Sequence, residues 1–143
     1  MMICTRRLIA LSFRQEHALR FLSTTRKDKE VPAYHIPVLM KECVDYLMGE
    51  KDVQMTNKLF VDCTLGGGGH TAEILRRGGH VLALDQDLDA INRVSNKLNH
   101  EVQNGKLEIV QTNFANVQEA VMNSTLGKQF EGQIDGVLFD LGV

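Results

Sequence analysis

A chain of 143 residues with 43% hydrophobic and 24% charged side chains has the size and composition of one globular domain. No apolar run reaches the roughly 18 residues of a membrane-crossing helix, so no membrane role is expected. A formal net charge of −2 argues against a strongly basic, nucleic-acid-binding surface within this segment alone.

Cys4, Cys43 and Cys63 lie far apart and fit neither a disulfide framework nor CxxC metal spacing. They read as reduced thiols of an intracellular compartment. His17, His35, His70, His80 and His100 form no HxxxH pair, so no metal site is expected.

Residues 1–26 hold Arg6, Arg7, Arg14, Arg20 and Arg26 against the single acid Glu16, a balance of +4. The rest keeps 11 of the 16 basic and 17 of the 18 acidic residues, a balance of −6. Leu8, Leu11, Ala18, Leu19 and Leu22 suit one side of a helix, and serines and threonines are frequent. That is the composition of a mitochondrial presequence, which would send the protein to the matrix; a disordered basic tail is the alternative. Arg20-Phe21-Leu22-Ser23 resembles a matrix-peptidase site, so residues before about 26 are left out of the expected fold.

Residues 27–34, charged and containing Pro32, read as a linker. The spacing of Leu39, Cys43, Tyr46 and Leu47 predicts a helix over 38–48, with Gly49 as its stop. Strand-like runs follow at 58–63, 80–85, 107–111 and 134–140. Helical patterns at 71–77, 87–98 and 114–122 separate them, and Asp87 is placed to cap the second. Short apolar strands alternating with helices call for a parallel sheet covered on both faces. With right-handed crossovers, the simplest topology is a Rossmann-like half in which the four runs take the order 3-2-1-4.

The most informative stretch is Leu59-Phe60-Val61-Asp62-Cys63-Thr64-Leu65-Gly66-Gly67-Gly68-Gly69-His70, a strand, a glycine loop and a helix start. Glycines there let backbone approach a ligand closely, and the helix aims free N–H groups and its positive dipole end at the same place. Ligands of such sheets bind outside the carboxyl ends of the strands. Four features fall there independently: the glycine loop after the first run, Asp85 ending the second, Phe114 just after the third, and Asp140 ending the fourth.

Gly66 and Gly68 are read as serving close cofactor approach. Asp62 is open between stabilising the loop and facing the ligand, and His70 between donating to an anion and standing exposed. Asp85 lies about 20 residues past the loop, where an acid reaches ribose hydroxyls. Phe114 either stacks on a base or anchors the third helix. Asp140, an acid ending a buried run, is expected to have a partner, because a bare buried carboxylate is costly.

Two cofactors compete on these residues. Gly67-x-Gly69-x-x-Ala72 fits the dinucleotide fingerprint of NAD or FAD proteins. In another register Asp62-x-x-x-Gly66-x-Gly68 has the layout of S-adenosylmethionine-dependent methyltransferases.

His35-Ile36-Pro37-Val38-Leu39, the glycine-loop stretch, Leu82-Ala83-Leu84-Asp85-Gln86-Asp87 and Asp135-Gly136-Val137-Leu138-Phe139-Asp140-Leu141-Gly142-Val143 together resemble the RsmH/MraW family. With the arginine-rich start, the chain resembles the family's mitochondrial branch. The resemblance covers residues 35–143 and implies the N-terminal half of a class I methyltransferase fold. It implies N4-methylation of a cytidine in small-subunit ribosomal RNA, with S-adenosylmethionine as donor and possible ribosome assembly factors as further partners. By the same resemblance Gly68, Gly69 and His70 contact the methionine part of the cofactor. Asp85 takes the ribose, Phe114 lies against the adenine, and Asp140 faces the transferred methyl, as the one candidate catalytic group. The family's pattern continues past Val143 with Ser-Ser-Pro-Gln and a helical substrate domain. This chain is therefore expected to supply the cofactor half-site, as a fragment or truncated isoform, and to be inactive alone.

Overall fold

The computed structural model describes residues 8–12, 39–49 and 56–141. The linker at 27–34, the motif at 35–38, Cys4 and most of the expected presequence lie outside them.

Five parallel strands form one sheet: β1 (Leu8–Ser12), β2 (Leu59–Asp62), β3 (His80–Asp85), β4 (Leu107–Gln111) and β5 (Gly136–Leu141), in the order β1-β5-β2-β3-β4. The four strands after residue 56 thus take the expected Rossmann-like order. β2 is buried along its whole length, as a central parallel strand with both faces covered must be.

The helices fill the two faces. On one lie α1 (Met40–Met48), α2 (Gly69–Arg76) and α3 (Leu88–Lys97), over a core that includes Val44, Leu47, Phe60, Ile74, Val81, Ala83, Val94 and Leu138. On the other, α5 (Val117–Asn123) and α6 (Thr125–Gln129) cover Leu59, Val61, Leu82, Leu84 and Val137. The side-chain alternation of a strand explains the split, since Val137 and Leu138 serve opposite cores.

Local signals act where the sequence placed them. Gly49, with φ 86°, ends α1. Asp87 caps α3 by accepting from the Asp89 N–H at 2.9 Å. The helix expected over 114–122 is divided into a 3-10 turn (Phe114–Asn116), capped by Asn113, and α5. Two five-residue helices, α4 (Asn99–Gln103) and α6, had no sequence signal; they are too short to show a period.

β1 is a departure from expectation. The segment left outside the fold, with helix-like spacing, supplies a strand that pairs in parallel with β5, from Leu8↔Val137 to Ser12↔Leu141. The uninterrupted Leu8-Ile9-Ala10-Leu11 run is strand-competent, and the outer side of β5 offers a row of backbone N–H and C=O groups. Non-local pairing of this kind overrides a local helical pattern.

Candidate functional site

The carboxyl ends of β2, β3 and β5 converge on the glycine loop. Leu65 donates its N–H to the Leu84 carbonyl at 3.0 Å, and Gly66 donates to Asp85 Oδ2 at 2.8 Å, so the loop is folded over the end of β3. Gly66 and Gly68 both have positive φ, +47° and +71°. At Gly68 a Cβ would come 2.8 Å from Val94 Cγ1. Left-handed backbone and the closeness of α3 thus both demand glycine at 68.

Asp62 resolves in favour of the loop. It is buried; Oδ1 accepts from the Thr64 N–H at 3.0 Å and Oδ2 from the Thr71 hydroxyl at 2.7 Å. Burial pushes its carboxyl above the usual range, opposed by those two hydrogen bonds and by His70. Beside it the Cys63 thiol is pushed up to about 12, mainly by burial, so it is an inert packing group.

α2 begins at Gly69 after a left-handed Gly68, and no side chain caps it. Its first N–H groups and dipole end are thus left for a ligand. His70 is only 4% exposed, so the exposed alternative is excluded. Its Nδ1 lies 3.8 Å from Asp140 Oδ2, an ion-pair separation rather than a hydrogen bond. Its Nε2 is buried and has no hydrogen-bond partner among the described residues.

Asp140 has the expected partner but is less buried than its position suggested, with 36% of its side chain exposed. It stands at the end of β5, and its N–H donates to the Thr64 hydroxyl at 2.8 Å. Asp85 is half-buried and accepts from Gly66 with one oxygen and from the Asp87 N–H with the other, at 3.0 Å. Each oxygen retains a second lone pair for a hydroxyl donor. Phe114 is 41% exposed and meets Phe139 edge to face, ring centres 5.8 Å apart.

Direct contacts therefore connect Asp85 to Gly66 and His70 to Asp140, while Phe114 joins through Phe139, the neighbour of Asp140. Thr64, Thr71 and Phe139 were not picked out from sequence. The Asp62-x-Thr64 spacing of an Asx-turn and the alternation that pairs Phe139 with Val137 were the available signals. A shallow pocket of about 350 Å³ along α5, bordered by Asn116, Glu119 and Met122, includes none of the candidate site residues. Among the described residues no cluster of His, Cys, Asp and Glu is arranged to hold a metal ion.

A parallel sheet with a glycine loop, an uncapped helix start and an acid at the end of the next strand defines an α/β protein of the nucleotide-cofactor-binding class. The profile of the MraW methylase family matches residues 32–143, and the chain belongs to that family. It is 38% identical over 111 residues to the ribosomal RNA small subunit methyltransferase H of Oenococcus oeni, and 40% identical over 111 residues to that of Limosilactobacillus fermentum. Each alignment covers 76% of this chain and 32% of the relative, so the chain spans about a third of their length. A solved structure of a putative rRNA-methylase from Clostridium thermocellum aligns with a TM-score of 0.47 at 22% identity, over 56% of this chain and 43% of that one.

Family membership implies S-adenosylmethionine as the cofactor. The residues present fit it: the orphaned Nε2 of His70 beside the uncapped start of α2 suits a carboxylate, and Asp85 suits a diol.

Proposed function

We propose that this chain supplies the S-adenosylmethionine-binding half of a mitochondrial rRNA methyltransferase that modifies N4 of a cytidine in the small-subunit (12S) rRNA. The observation that carries the reading is the set of contacts at the strand ends, where the glycine loop, His70, Asp85 and Asp140 meet around one uncapped helix start. The identity to curated small-subunit rRNA methyltransferases supports the substrate class, and the arginine-rich residues 1–26 support the compartment.

In this reading the first N–H groups of α2 and His70 bind the methionine carboxylate. Asp85 holds the ribose hydroxyls while keeping the loop closed through Gly66. Phe114 lies against the adenine, and Asp140 faces the place where the methyl is transferred. Bound S-adenosylmethionine supplies a methyl group already activated on sulfur. The protein's contribution is alignment, and exclusion of water around the reacting amine. Asp140 is suited to accept a hydrogen bond from that amine. The target cytosine has to be unstacked to reach it. With a balance of −6 after residue 26, this segment carries no net positive charge to attract an RNA backbone. RNA and any assembly factors are held by other parts of the protein, and this segment alone is inactive. No helix among the described residues is long and apolar enough to cross a membrane.

Titration calorimetry with S-adenosylhomocysteine and with NAD tests the reading. Asp85→Asn should weaken S-adenosylhomocysteine binding by about 1.5–3 kcal/mol, the worth of a hydrogen bond to a charged group. Unchanged affinity removes Asp85 from the site, and tighter binding of NAD by the wild-type chain overturns the choice of cofactor.

A further inference from the structure

Phe139 lies on β5 between two residues of the opposite face, Leu138 and Asp140. Leu138 belongs to the core under α1–α3, and Asp140 reaches His70 on that side. Phe139 projects the other way and packs against the core under α5 and α6. There its ring meets Phe114 at 86°, with the centres 5.8 Å apart. Phe139 is half-buried, while Phe114 keeps 41% of its surface open.

The pair is therefore asymmetric. One ring is fixed by a rigid strand and a core; the other sits on a three-residue 3-10 turn and has an open side. An aromatic ring on a short turn has several rotamers, and an edge-to-face partner selects among them. The Thr64 hydroxyl holds the backbone N–H of Asp140, so the strand end that carries Phe139 is tied to the glycine loop.

The geometry points to Phe139 as a positioning residue that holds Phe114 as a wall for a planar base, so that the site discriminates for the base of its ligand. This rests on the cofactor reading above and adds to it the residue that makes the base contact specific.

The test compares two ligands that differ only in the base, S-adenosylhomocysteine and S-ribosylhomocysteine, by calorimetry on the full chain. Phe139→Leu keeps an apolar side chain against the core but removes the ring. It should weaken S-adenosylhomocysteine binding about threefold to tenfold, and leave S-ribosylhomocysteine within about twofold of wild type. Phe139→Tyr, which retains a ring edge, should restore the discrimination. In ligand-free protein, the Phe114 ring resonances should lose their ring-current shift in Phe139→Leu and keep it in Phe139→Tyr. Equal losses for both ligands, or no loss for either, overturn the role of Phe139. A wild-type chain that binds neither ligand overturns the cofactor reading itself and this role with it.

Discussion

The Thr71 hydroxyl donates to Asp62 Oδ2 at 2.7 Å, joining the end of β2 to the first turn of α2 through two buried side chains. The helix start that the glycine loop leads into is held in place by this bond. Thr71→Val keeps the shape and removes the donor, leaving a buried carboxylate oxygen short of a partner. The expected cost is about 1–3 kcal/mol, read by denaturant unfolding.

That cost should depend on pH. Burial raises the Asp62 carboxyl from its ordinary 3.8, so the folded chain holds this proton more tightly than the unfolded one. Stability from the group is full below the unfolded value and declines as pH rises through the folded value. Without Thr71 the folded value rises further, so the deficit of Thr71→Val should grow as pH rises from below the ordinary 3.8 through the raised folded value. A deficit that is flat over that range removes Asp62 as the cause.

Gly68 and Val94 make a second local test. Gly68→Ala meets two penalties, a positive φ and a methyl group 2.8 Å from Val94 Cγ1. Together these should cost about 2–4 kcal/mol in unfolding experiments. Adding Val94→Ala removes the collision but not the backbone strain, so the double variant should recover part of the loss relative to the sum of the single changes. Strict additivity would mean that α3 does not set the requirement for glycine at this position.

The sheet order and the convergence at the strand ends were legible because they follow from local periodicity and from rules of connection. Asp87 could be read as a cap from its place before a periodic run, and Asp85 as a strand-end acid from its distance to the loop. Asp62 could not be settled, because its partner Thr71 lies nine residues away across a loop whose path is a tertiary property. The exposure of Asp140 was misjudged for a related reason. The buried pattern of β5 stops before the strand does, and Phe139, Asp140 and Leu141 are not buried. β1 was hidden most completely, since the wider segment has helical spacing and the partner that draws its apolar run into a strand is the side of another strand more than 120 residues on.

That strand carries the last prediction. β1 pairs with β5 over five residues, and it lies inside the arginine-rich, acid-poor segment that we propose serves as a mitochondrial presequence. If cells remove about the first 22–26 residues after import, protein recovered from mitochondria should begin near Ser23, which N-terminal sequencing reads directly. An intact Met1 on protein found only in the cytosol removes the presequence. The chain shortened by 26 residues loses β1 and bares the outer backbone groups of β5, which template pairing with another chain. Light scattering across a concentration series should then show self-association in the shortened chain that the full chain lacks. Equal, concentration-independent masses for the two would mean that β1 does not protect this side of the sheet.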